Sequence, residues 1–114
     1  MASRSFPVLV VTGETSGEQH AAGLIGQIEH QNPEWEVQWF GSGGPQMAAA
    51  GVDLLEDVSQ LAAVGPWEAL SQMGVYWRAY RRILSEVGRR RPKLAILVDF
   101  PEFNLKLARR LKKM

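Results

Sequence analysis

Residues 8–19 read VLVVTGETSGEQ, and this stretch decides the fold. Val8-Leu9-Val10-Val11 is an unbroken run of β-branched residues and leucine, the pattern of a strand covered on both faces. Thr12-Gly13-Glu14-Thr15 interrupts it. Ser16 then stands as an N-cap with Gln19 three residues on, the arrangement of a capping box. The helix it opens has a predicted buried stripe of Ala21, Leu24, Ile25 and Ile28, and Asn32-Pro33 closes it. A buried strand, a glycine-bearing turn and an amphipathic helix make the first part of a βαβ unit.

The same alternation continues outward. A second strand is predicted at 36–40, closed by Gly41-Ser42-Gly43-Gly44. Pro45 occupies a first helical position, and Gln46 to Ala50 form a short helix that stops at Gly51. Val52 to Leu55 reads as a short strand, and 58–64 as irregular. A long helical pattern runs from Trp67 to Arg90, with Gly74 as a weak point and Leu70, Met73, Trp77, Tyr80, Leu84 and Val87 as its stripe. Arg91-Pro92 ends it, Leu94 to Val98 is the next buried strand, and Pro101 opens a last helix through Leu105, Leu107 and Leu111. The fold class is therefore α/β: a partial Rossmann-like parallel sheet flanked by helices. A doubly wound sheet would continue past a helix such as 104–114 with another strand, so residues 1–114 are expected to be an incomplete domain of a longer protein. A short protein with a small sheet is the alternative.

Composition narrows the function classes. Of 114 residues, 46% are hydrophobic and 22% charged, which excludes an intrinsically disordered chain. There is no cysteine, hence no disulfide framework and no thiolate metal site, and His20 and His30 are too few for a histidine-based one. No window approaches the ~20 apolar residues that span a bilayer. The amino terminus lacks the apolar core of a signal peptide, so a cytoplasmic protein is expected. A net charge of +1 conceals a division: residues 1–76 carry one base and nine acids, residues 77–114 twelve bases and three acids. Either the basic half meets an anionic partner or the halves neutralise each other within the fold. The acidic first half disfavours nucleic acid.

In parallel α/β sheets, ligands bind beyond the carboxyl ends of the strands. Three such ends are visible: Gly13 to Gly17, Gly41 to Pro45, and Asp99 to Asn104. The first offers a helix N-terminus with Ser16 and Gly17, but Glu14 would repel a phosphate, and neither a Walker A box nor G-x-G-x-x-G is present. Gly43 and Gly44 permit close approach of a ligand or simply a tight turn. Asp99 follows an apolar strand, where partial desolvation suits a general base; capping the next helix is the structural alternative. Trp67, Tyr76, Trp77 and Tyr80 interleave with Arg78, Arg81 and Arg82, a combination that suits a membrane interface or a core helix with a solvated basic face.

Four ordered motifs carry a family resemblance. Gly13-Glu14-Thr15-Ser16-Gly17-Glu18 resembles G-E-x-S-G-D, and Gly43-Gly44-Pro45-Gln46-Met47 resembles G-G-P-x-M. Leu61-Ala62-Ala63-Val64-Gly65 with Glu68 resembles L-A-V-M-G-x-x-E, and Asp99-Phe100-Pro101-Glu102-Phe103-Asn104 resembles D-x-P-D-F-N. Together they resemble the N-terminal part of the lipid-A-disaccharide synthases. That resemblance implies the N-terminal, acceptor-side half of a GT-B glycosyltransferase, whose C-terminal UDP-sugar-binding domain is absent from these residues. It implies transfer of 2,3-diacylglucosamine from its UDP conjugate to 2,3-diacylglucosamine 1-phosphate, giving a β-1,6-linked disaccharide and UDP, with no metal or organic cofactor. It implies Asp99 as base, with Glu14 second, and sugar or phosphate contacts from Ser16, Gly17, Gly43, Gly44 and Asn104. Trp67, Leu70, Met73, Trp77, Arg78, Arg81 and Arg82 would meet acyl chains or the cytoplasmic face of the inner membrane. The expected protein partner is the C-terminal domain or a second copy. Departures from the pattern fall at Thr15, Glu18, Gln46 and Pro66-Trp67, and Gln46 lacks the base that would support a phosphate contact. Two other readings stand beside this one: a flavodoxin-like nucleotide or flavin module without catalysis, and a piece of a fold with no function of its own.

Overall fold

The computed structural model of the chain describes residues 4–13, 15–57, 73–98 and 101–114. Among them, strands β1 (Arg4–Thr12), β2 (Trp35–Gly43), β3 (Asp53–Asp57) and β4 (Leu94–Val98) form one sheet of order β3-β2-β1-β4 with every neighbouring pair parallel. The helices are α1 (Thr15–Gln31), α2 (Pro45–Ala49), α3 (Met73–Arg90) and α4 (Pro101–Lys113). This is the Rossmann-like α/β arrangement expected. In a flavodoxin-like sheet the third strand would lie on the other side of β1, so the order of the described strands departs from the flavodoxin-like alternative.

Two apolar layers follow from the alternation of β1. Leu9 and Val11 point into a cluster with Phe40, Tyr80, Ile83 and Leu107, which α3 and α4 cover. Val8 and Val10 point the other way, onto Ala21, Ile25, Trp39 and Met47 under α1 and α2. All four residues of the quoted run are thus buried, as a strand sandwiched between helices requires.

Several elements differ from the sequence expectation. β1 begins at Arg4 rather than Val8, because Arg4 through Pro7 pair with Trp35 through Gln38 and Phe6 packs edge-on against Trp35. Pro7 is tolerated there because the β4 ladder starts only at Val8; its carbonyl accepts the Lys93 N–H at 3.0 Å. β2 does not close before the glycines but runs through Gly41-Ser42-Gly43. Gly41 has φ +155° and lies so close to β1 that a Cβ would stand 1.7 Å from the Val10 carbonyl oxygen. β3 spans 53–57 instead of 52–55, with a register shift opposite Gly41 and Ser42. α1 includes Thr15, so Ser16 lies inside the helix instead of capping it.

The stripes shift as well. Leu24 is 42% exposed because the buried line of α1 runs through Glu18, Ala21 and Ile25, with Leu24 at its edge. On α3 the buried line is Ala79, Tyr80, Ile83 and Val87; Trp77 lies off it at 52% exposure and Leu84 is half-buried. Leu70 lies outside the described residues. β4 is covered only over its second half: Leu94 is 55% exposed and Ala95 is open, whereas Leu97 packs on one apolar layer and Ile96 and Val98 on the other, and among the described residues the strand pairs only with β1. The helix ends agree with expectation. Asn32 follows α1, its amide donating to the Ile28 carbonyl at 2.9 Å. Gly51 follows α2 at φ +102°, and Arg91 leaves α3 at φ 51° before Pro92.

Candidate active-site rim at the carboxyl ends of the strands

Because every pair is parallel, the carboxyl ends of all four strands lie along one edge of the sheet. The strand order reverses between β1 and β4, which is where ligands seat in sheets of this kind. Thr12 at the end of β1 is the register partner of Val98 at the end of β4, and Val11 pairs with Ser42 near the end of β2. The segments after three strands, read from the sequence as possible loops, therefore leave from adjacent strand ends.

The predicted residues divide into three groups. Glu14 and Asp99, the two carboxylates expected to act on the acceptor, lie outside the described residues, as do Trp67 and Leu70. Ser16 and Met73 are placed in the first turns of α1 and α3, and their side chains lie outside the described set. The remaining residues are placed. Gly17 is buried in the first turn of α1 and Asn104 in the first turn of α4, and both helices start after the carboxyl ends of their strands.

Gly43 and Gly44 have a structural task. A Cβ on Gly43 would meet Met47 Sδ at 2.1 Å and Thr12 Oγ1 at 3.0 Å, so the protein's own interior occupies that space. Thr12, itself buried, donates its hydroxyl to Met47 Sδ at 3.2 Å and ties β1 to α2. Gly44 is the N-cap of α2 without a side-chain cap, and Pro45 follows at the first helical position as expected.

The aromatic and basic helix is resolved into two parts. Arg78 and Arg82 share Glu56 at 3.4 and 3.6 Å, and Arg90 reaches Asp53 at 2.9 Å. These contacts run α3 antiparallel to β3, with its beginning at the carboxyl rim. They also join the acidic and basic halves of the sequence, so part of the charge division is neutralised internally. Toward α4, the exposed Trp77 stacks on Tyr80 at 5.5 Å, and Lys106 Nζ lies 5.1 Å from the Trp77 ring. Tyr80 in turn meets Phe103 edge-on. Arg81 is exposed beside them. The result is a cationic, aromatic ledge next to the rim.

One residue at the rim escaped the sequence reading. Glu18 is 3% exposed, and its Oε2 has no hydrogen-bond partner. The signal was present: Glu18, Ala21 and Ile25 recur at i, i+3 and i+7, which extends the buried stripe one turn back onto an acid. His20 and His30 are exposed, and no group of three potential metal ligands occurs among the described residues.

Comparison with known proteins agrees with this geometry. The family model described as lipid-A-disaccharide synthetase matches residues 8–114. The chain is 47% identical over 105 residues to the lipid-A-disaccharide synthase of Nitrosococcus oceani and 41% identical over the same length to that of Geobacter sulfurreducens. The Myxococcus xanthus enzyme of the same name is 39% identical. Each alignment covers 92% of this chain and 27% of the relative, so the chain spans about a quarter of the length of the relatives it matches. The match takes in the strand–turn–helix opening, the glycine-bearing second strand and the helix that starts at Pro101, and with that coverage the chain belongs to the lipid-A-disaccharide synthetase family.

Proposed function

We propose that the chain is the N-terminal, acceptor-side lobe of an inverting GT-B glycosyltransferase that joins two acylated glucosamine units. The donor is UDP-2,3-diacylglucosamine and the acceptor 2,3-diacylglucosamine 1-phosphate. The acceptor 6-hydroxyl oxygen forms a bond to the donor's anomeric carbon as the bond to UDP breaks, and UDP leaves with the electron pair. Asp99 takes the hydroxyl proton, and Glu14 is the second candidate. Ser16, Gly17 and Asn104 line the acceptor's polar edge beside Gly43 and Gly44. The ledge of Trp77, Arg81 and Lys106, with Trp67, Leu70, Met73, Arg78 and Arg82, meets acyl chains and anionic lipid at the inner-membrane surface. The UDP-binding half comes from the rest of a longer protein or from a partner chain. The proposed attachment is peripheral, through this ledge; no described helix is long and apolar enough to cross a membrane.

The observation that carries this reading is the family match over 8–114, joined to a sheet whose order reverses between β1 and β4. The test is a graft. This chain replaces the equivalent 105 residues of the Nitrosococcus oceani enzyme, and disaccharide formation is followed with both acylated substrates. The chimera is expected to be active, and Asp99→Asn in it to lower kcat by about 100-fold or more, the contribution of a general base. A folded but inactive chimera, or an Asp99→Asn variant of full activity, overturns the assignment.

A further inference from the structure

Glu18 is the one buried acid among the residues whose side chains are described. It lies in the first turn of α1, on the line that carries Ala21 and Ile25 down onto the sheet. It is 3% exposed, and one carboxylate oxygen accepts no hydrogen bond. A buried carboxylate normally gains two or more donors or an opposite charge, because its lost hydration costs several kcal/mol otherwise (about that order in protein interiors). The contrast is local: Glu29, one helical stripe away, accepts from Trp39 Nε1 at 3.0 Å, and Glu56 and Glu86 each hold two arginines. The helix dipole favours an acid in the first turn, but not its burial, since Ala21 and Ile25 show that this line is otherwise apolar.

The surroundings say what is missing. α1 starts directly after β1, so its first turn lies at the carboxyl end of the sheet, next to the β1–β4 pair where the strand order reverses. Gly17 beside it is buried and adds no side chain. A carboxylate without a donor, at a place where ligands seat, calls for a ligand that brings the donor. The sign of the charge excludes a phosphate oxygen as the contact. A hydroxyl or an amide N–H fits, and both belong to the polar edge of an N-acylated amino sugar.

We infer that Glu18 is a ligand-binding residue that accepts a hydrogen bond from a hydroxyl or amide N–H of the acceptor sugar, away from its phosphate. The inference rests on the acceptor-side reading above and adds to it a residue that selects the sugar. Glu18 orients the ring at its donor groups, while the phosphate lies away from it.

The experiment uses the 114-residue chain. Binding of 2,3-diacylglucosamine 1-phosphate with short, water-soluble acyl chains is measured by calorimetry, and unfolding by thermal melting, for the natural sequence and for Glu18→Gln and Glu18→Leu. A second probe, glucose 1-phosphate, keeps the phosphate and hydroxyls and lacks the amide. Glu18→Leu is expected to weaken binding about tenfold or more, the cost of one charge-assisted hydrogen bond, and to raise the melting temperature. Glu18→Gln is expected to lose affinity without losing stability. If glucose 1-phosphate is equally sensitive to Glu18→Leu, the donor is a hydroxyl; if only the acylated amino sugar is, it is the amide. Binding unchanged in both variants overturns the inference and leaves the acceptor-side reading intact. A lowered melting temperature in both overturns it as well, by showing an internal role for the carboxylate. No binding by the natural chain overturns both.

Discussion

Gly41→Ala and Gly43→Ala are the same substitution two residues apart in β2, and the structure assigns them different costs. At Gly41 the added carbon would lie 1.7 Å from the Val10 carbonyl oxygen and 2.7 Å from its carbon, both backbone atoms of the neighbouring strand. A carbon–oxygen contact needs about 3.3 Å, so β1 and β2 must separate by roughly 1.5 Å in the centre of the sheet. That separation breaks buried ladder hydrogen bonds, at about 1–3 kcal/mol for each group left unpaired. The positive φ adds about 1–2 kcal/mol for any residue with a side chain. A loss of about 4 kcal/mol or more follows, a large share of the 5–15 kcal/mol that typically holds a domain of this size. At Gly43 the obstruction is the Met47 side chain, with Thr12 Oγ1 at 3.0 Å. A thioether can change rotamer, so overpacking of about 1–3 kcal/mol is expected, including loss of the Thr12–Met47 contact. Urea unfolding followed by circular dichroism and by tryptophan fluorescence, to which the buried Trp39 contributes, reads both. A Gly41→Ala variant that loses less than Gly43→Ala would refute the reasoning, because it would mean the strands are not in the contact described.

Two further outcomes follow from the charges. Glu86 receives hydrogen bonds from Arg89 and Arg90, which hold its carboxyl at about 2 instead of 4.5. A carboxyl depressed in the folded state adds stability that is complete above its unfolded value and fades as the pH falls from there toward 2. Melting temperature should therefore drop between pH 5 and pH 2 less steeply in Glu86→Gln than in the natural chain, and parallel profiles would contradict this. Glu56→Gln frees the exposed guanidinium groups of Arg78 and Arg82 from a partly buried acid, and with the bases so exposed each pair is worth about 1 kcal/mol. It should leave stability nearly unchanged while strengthening co-sedimentation with vesicles containing anionic lipid at low salt, and unchanged or weaker sedimentation would count against the ledge as a membrane contact.

The layout of the sheet was legible because buried parallel strands announce themselves: Val8 to Val11 and Leu94 to Val98 need no partner to be read as strands. What the residues concealed were facts of the third dimension. Polar Arg4 and Ser5 and the imino acid Pro7 argue against a strand, yet Phe6 against Trp35 and the offset of the β4 ladder make one possible. Glycines at 41 and 43 look like the end of a strand because open turns and crowded sheet centres demand the same residue. Trp77 looked like core because a heptad-like line through large residues ignores where the sheet lies; its ring instead takes a cation from α4. For the site, hydroxyls and acids after strands were visible, whereas Glu18 reads as an ordinary acidic first turn unless the line of Ala21 and Ile25 is carried one turn back onto it.

The outer side of β4 has a consequence for handling. Among the described residues nothing pairs with that edge, and a row of amide and carbonyl groups there, with an apolar lip at Leu94, is adhesive toward any extended peptide. When the chain is prepared by itself, its losses should grow with concentration, and an added peptide able to pair with that edge should reduce them.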